Sequence, residues 1–135
     1  MTRTILHSDR APKAIGPYSQ AVRAGDTLYL SGQTPLDPSS GELVAGDISA
    51  QATQVFGNLE AVLAAAGATF DDVVRVGIYL TDLGDFGAVN EVMKRHFREP
   101  YPARSTIGVA ALPRGAQVEI DMIAVPDRAV IAGGR

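Results

Sequence analysis

The chain has 135 residues, 46% of them hydrophobic and 20% charged, which is the size and composition of one globular domain and excludes a fibrous repeat or a disordered polymer. Fifteen acidic against twelve basic side chains give a formal charge of -3 and a pI near 5.2, so no global field draws the protein to nucleic acid, and its Lys and Arg residues form no run that could track phosphates. A chain without cysteine has no disulfide, no thiolate nucleophile and no sulfur ligand for a metal.

The opening MTRTILHSDR lacks the apolar section of a signal peptide. No stretch approaches the roughly 20 apolar residues of a spanning helix, so a cytoplasmic protein with no membrane partner is expected. A short first strand is predicted near Arg3 to Leu6, followed by APKAIGPY (11–18), whose two prolines and glycine make a shaped irregular segment. Gln20 to Ala24 and Thr27 to Ser31 read as strands joined by a turn at Gly25-Asp26, with Leu28 and Leu30 sharing a face. Residues 32–46, GQTPLDPSSGELVAG, are dense in turn formers and predict a loop with a small hairpin around Ser40-Gly41.

From about Ser49 the period changes from two to 3.6. Val55, Leu59, Val62, Leu63 and Ala66 line one side of a helix, with Asp47 or Ser49 as N-cap and Gly67 as C-cap. VVRVGIYL (73–80) predicts a strand with Val74, Val76, Ile78 and Leu80 on one face and Val73, Arg75, Gly77 and Tyr79 on the other. A second helix is expected from about Phe86 to Phe97, packing through Val89, Val92, Met93 and Phe97 and ended by Pro100. ARSTIGV (103–109) and Gln117 to Val125 are the last strands, separated by the turn-rich Leu112 to Gly115. A single domain over residues 1–126 with a flexible tail at 127–135 completes the chain.

The order β, β, β, α, β, α, β, β describes an α/β (α+β) sandwich: a mixed sheet with two helices on one face. The other face must then be buried some other way. Arg75 and Tyr79 make it only partly apolar, which favours an interface in a symmetric oligomer over an interior core.

Arg104 opens its strand just after Pro102, where it is either a surface charge or a rigid fork of donors able to grip a substrate carboxylate. Glu119 and Asp121 alternate with Val118, Ile120 and Met122 and so share the opposite face. They read either as solvated strand charges or as carboxylates at an apolar boundary, where a raised pKa suits a general base. Tyr18, after Gly16-Pro17, covers a ligand or caps a core edge; Ser31-Gly32 ends a strand where a ligand could approach the backbone closely; Asn90 lies one position off its helix's apolar stripe. His7 and His96 have no metal-ligand spacing, and no phosphate-cradling glycine loop or nucleophile elbow is present.

IGPYSQAV (15–22), LYLSGQTPLDP (28–38), the long segment 51–93 from QATQVF to NEVM, and PARSTIGVAALPRGAQVEIDMIAV (102–125) together resemble the reactive-intermediate deaminase family over nearly the whole chain. The resemblance implies a chorismate-mutase-like homotrimer with its sheets in a central barrel, helices outside and three ligand clefts between subunits. It implies hydrolysis of 2-imino acids or their enamines, such as 2-iminobutanoate and 2-iminopropanoate, to 2-oxo acids and ammonia, without metal or organic cofactor. Carried onto this sequence, Arg104 holds the substrate carboxylate, Glu119 orients water and accepts its proton, and Tyr18 from a neighbouring subunit closes the cleft. Gly32 supplies a backbone contact, and Ser31 and Asn90 match further pocket positions, while Asp121 keeps a structural reading. Thr106 stands where many archetypal members have cysteine, and its hydroxyl can still hydrogen-bond the substrate. Thr106 is also the feature behind a second reading, a 2-oxo acid binding or regulatory protein without efficient turnover. A third, an endoribonuclease, has little support from the acidic balance.

Overall fold

The computed structural model describes residues 2–126, so the tail expected at 127–135 lies outside the described residues. Six strands form one sheet in the order β1-β2-β3-β6-β4-β5: β1 (Arg3–Leu6), β2 (Ala21–Ala24), β3 (Thr27–Gln33), β4 (Val73–Leu80), β5 (Ala103–Gly108) and β6 (Val118–Ala124). All neighbours are antiparallel except β4 and β5, which run parallel because helix α2 (Phe86–His96) carries the chain back between them. Helix α1 (Ile48–Ala65) packs beside α2 on the same face.

The helix ends follow local chemistry. Asp47 is the N-cap of α1, its carboxylate accepting from the Ala50 amide at 3.0 Å. At the other end Ala66, not Gly67, is the C-cap. Gly67 follows it at φ +72° and lets the Gly67 and Ala68 amides turn back to the Ala64 and Leu63 carbonyls, a Schellman closure. Helix α2 ends at His96, and Phe97, in extended backbone, continues into the core.

The core is the layer between helices and sheet. Val55, Phe56, Leu59, Val62 and Leu63 of α1 meet Leu28, Val76, Ile78, Leu80, Val118, Ile120 and Met122, all buried. Each such side chain contributes roughly 1.5–3 kcal/mol by leaving water. The alternation of β4 departs from expectation at its start. An irregularity between Val73 and Arg75 in the pairing with β6 turns Val73 inward, 6% exposed, and Val74 outward, 47% exposed, before the expected pattern resumes at Val76. The sheet face remote from the helices carries Tyr29, Arg75, Tyr79, Ile107, Glu119, Asp121 and Ile123; Tyr29 and Ile107 are about half exposed there. Among the described residues nothing covers that face. Among the described residues no helix is long and apolar enough to cross a membrane.

Candidate active site

The residues singled out in the sequence fall into two groups. On the helix side, at the β5 edge, Arg104 stands opposite Val76 in the parallel ladder and leans over α2. Its Nη1 donates to Asn90 Oδ1 at 2.6 Å, with a longer contact to the Met93 sulfur at 3.7 Å, and its guanidinium carbon lies 5.1 Å from the centre of the Phe86 ring. The helix thus presents a neutral acceptor and an aromatic face to a cation. No carboxylate forms an ion pair with Arg104 among the described residues, so its remaining donors are free for an anion. The cavity beside it, about 440 Å³, is lined by Asn90, Met93, Lys94, Tyr101, Pro102 and Arg104. Thr106, one strand period on, shares that face, and its buried hydroxyl has no hydrogen-bond partner among the described residues.

On the other side of the sheet lies the second group. The pairing of β3 with β6 slips between Leu30 and Gln33, so one extra residue bulges at Ser31-Gly32. The bulge lays Gly32 against Glu119: a Cβ at Gly32 would collide with the carboxylate and sit 2.9 Å from its Cδ, so only glycine leaves Glu119 this seat. Burial raises the Glu119 carboxyl above the usual carboxylate value, and the charge of Asp121 adds to the rise. A cavity of about 420 Å³ collects Glu119 and Gly32 with Tyr18, Lys13 and Arg114. Its walls are held by buried amides. Gln20, 2% exposed, accepts from the Ser8 amide at 2.7 Å and donates to the Ser8 and Pro12 carbonyls at 3.1 and 2.8 Å, which fixes the path of the segment leading to Tyr18. Asn58 of α1, 1% exposed, donates to the Thr34 and Leu36 carbonyls at 3.3 and 2.9 Å and ties down the opposite wall. Ser31 does not line the cavity; its hydroxyl donates to the Ser19 carbonyl at 2.6 Å and joins β3 to the Tyr18 segment.

The register places the two groups on opposite faces. Glu119 pairs with Tyr79 and Arg104 with Val76, and residues of unlike parity along β4 point to opposite sides of the sheet. One chain therefore brings Arg104, Asn90 and Thr106 together, and separately Glu119, Gly32 and Tyr18, but does not bring Arg104 to Glu119.

Residues 8–126 match a family model described as Endoribonuclease L-PSP. Protein DfrA of Myxococcus xanthus is 61% identical over 127 residues, covering 93% of this chain and 97% of its own. The 2-iminobutanoate/2-iminopropanoate deaminase of Mus musculus is 51% identical over 123 residues, 91% of each chain. The chain belongs to the reactive-intermediate deaminase family. The crystal structure of TdcF from Escherichia coli with bound serine shares this fold with a TM-score of 0.87 at 42% identity, covering 92% of this chain and 99% of the other.

In this member of the reactive-intermediate deaminase family, several residues that shape the two cavities escaped the sequence reading. Phe86 was a helix-start hydrophobe, and only the folded chain sets it under Arg104. Lys13 sits in the irregular segment 11–18 and Arg114 in the turn-rich segment 112–115. Asn58 carried the one available signal, an amide next to the apolar stripe of Val55, Leu59 and Val62.

Proposed function

We propose that this chain is a hydrolytic deaminase of small 2-imino acids, working as a homotrimer in which each cleft joins the Arg104 group of one copy to the Glu119 group of the next. The observation that carries this reading is the placement of an unpaired, oriented arginine and a half-buried carboxylate on opposite faces of one sheet. A substrate with a carboxylate one bond from an electrophilic C=N carbon needs both polarities a few ångströms apart. A second copy set against the uncovered sheet face supplies that approach and buries Tyr29 and Ile107. The likeness to a 2-iminobutanoate/2-iminopropanoate deaminase and to a protein solved with serine, itself a 2-amino acid, agrees with such a substrate.

In the proposed reaction Arg104 grips the carboxylate bidentately, oriented by Asn90 and Phe86. Glu119 takes a proton from water as the water oxygen bonds to C2, and the C=N π pair moves to nitrogen. The same proton is returned to nitrogen to give the carbinolamine. Glu119 then passes the C2 hydroxyl proton to nitrogen as the C2=O bond forms and the C2–N bond breaks, so imino acid plus water becomes 2-oxo acid plus ammonia. The backbone at Gly32 and the Thr106 hydroxyl, unpartnered among the described residues, hold the nitrogen in this reading. Tyr18 closes the cleft from its exposed segment. An imine is already electrophilic, so positioning and proton transfer suffice.

The test generates imino acids in situ with a threonine dehydratase and follows their decay. The chain accelerates decay over the free reaction, and Arg104→Ala abolishes the acceleration whereas Arg10→Ala on the exposed surface does not. Saturable 2-oxo acid binding without acceleration would overturn the enzyme in favour of a binding protein.

A further inference from the structure

Two glycines on the helix-free face open two adjacent seats. The first is Gly32 under Glu119. The second is Gly77, where a Cβ would strike the Asp121 carboxylate, with its Cγ at 3.3 Å, and lie 3.1 Å from the Tyr79 hydroxyl. The β4–β6 ladder builds this arrangement, setting Gly77 opposite Asp121 and Tyr79 opposite Glu119. Tyr79 reaches diagonally across, and its hydroxyl donates to Asp121 Oδ2 at 2.9 Å. The two carboxylates share one face two residues apart, about 7 Å along the strand. Neither forms an ion pair among the described residues, and Arg75 on the same face donates to the Val76 carbonyl at 3.1 Å instead.

We propose that Asp121, locked by Tyr79 in the seat over Gly77, is a positioning residue that sets the charge state of Glu119, an inference that rests on reading Glu119 as the base. A base that returns its proton must hold it between the two steps. A second fixed anion on the same face makes Glu119 hold it more tightly, because release would leave two negative charges side by side. The Tyr79 bond keeps that anion from rotating away. The electrostatics of both groups run the same way: the Glu119 carboxyl is raised by burial and then by Asp121, and the Tyr79 phenol is raised chiefly by its hydrogen bond to Asp121. The remaining titratable groups on this face fall into two sets. Lys13 and Tyr18 from the 11–18 segment and Arg114 from the turn before β6 share a cavity with Glu119, whose partner in the β4–β6 ladder is Tyr79; Arg75 from β4 and Tyr29 from β3 share a cavity with Asp121. A cation acts on a carboxyl in the sense opposite to Asp121, so variants of Asp121 itself isolate its effect.

The experiment titrates the Glu119 carboxyl carbon by 13C NMR in the full chain without substrate, in wild type, Asp121→Asn, Asp121→Ala and Asp121→Glu. The Glu119 midpoint falls in Asp121→Asn and Asp121→Ala and returns toward wild type in Asp121→Glu, and the Tyr79 phenol ionises at lower pH in Asp121→Asn. The acid limb of kcat/KM for imine hydrolysis moves down with the Glu119 midpoint. A midpoint unmoved in folded Asp121→Asn overturns the proposal, as does an acid limb that stays in place while the midpoint moves. A Glu119 midpoint that falls in Asp121→Asn, in a protein whose wild type shows no turnover, supports the carboxylate interaction and counts against the deaminase reading.

Discussion

Arg104 is held by groups that do not neutralise it. Asn90 accepts one of its hydrogens and Phe86 offers a ring face, so the guanidinium is oriented before any anion arrives. Carboxylate binding persists from ground state to transition state, and its loss belongs mainly in KM. Asn90→Ala is expected to raise KM about tenfold, the equivalent of about 1.4 kcal/mol, with a smaller change in kcat, in steady-state assays of imine decay. Glu119 works in the opposite sense. Its folded carboxyl holds a proton above the ordinary 4.5, so its contribution to stability is full below that value and is lost as pH rises through the raised folded value. Glu119→Gln is therefore expected to melt higher than wild type at neutral pH, with the gap closing on acidification, while kcat drops by about 10²- to 10⁴-fold. Both residues were visible in the sequence because a charge in an alternating strand is an anomaly that asks for a reason. Phe86 and Gln20 were not, since a ring under a cation and an amide clamping a loop are contacts between distant segments that no local pattern encodes.

At the scale of elements, the sequence pattern located the six strands and two α-helices of the described residues but not the three short 3-10 turns, and the other departures are places where backbone irregularity overrides alternation. The Val73 to Arg75 irregularity reverses two side chains of β4, and the Ser31-Gly32 bulge, which seats Glu119, is one residue of slippage that depends on the partner strand. The seam between α1 and α2 carries its own titratable group. His96 stacks on Phe56 with ring centres 5.1 Å apart, close to Phe70, and burial lowers its pKa from the ordinary 6.5; the charge of Glu60 opposes this shift and that of Arg95 adds to it. The folded state resists protonation there, so the contribution is full above about pH 6.5 and is lost as pH falls through the lowered folded value. Thermal melts of His96→Phe are expected to vary less between about pH 7 and 5 than those of wild type, the ring replacing the imidazole in the same aromatic cluster.

For the whole molecule, the sheet's two faces have different fates. One is closed by helices within the chain, and the other, with Tyr29 and Ile107 half exposed beside Glu119 and Asp121, is uncovered among the described residues and is the face proposed to meet a further copy. The two-helix, one-sheet plan and its uncovered face were legible from the element order; that Arg104 and Glu119 point to opposite sides was not, because it depends on how β4 pairs with both β5 and β6. The central claim is that one cleft takes these two residues from different copies. It is tested most directly by unfolding Arg104→Ala and Glu119→Gln chains together, refolding the mixture and measuring imine hydrolysis. Each variant alone is inactive, and an equal mixture of randomly assembled trimers should recover about one quarter of wild-type activity, since half the clefts receive an intact Arg104 and half of those an intact Glu119. A mixture as inactive as its parents, with mixed trimers confirmed by mass, would contradict the account and place both residues of each cleft on one chain.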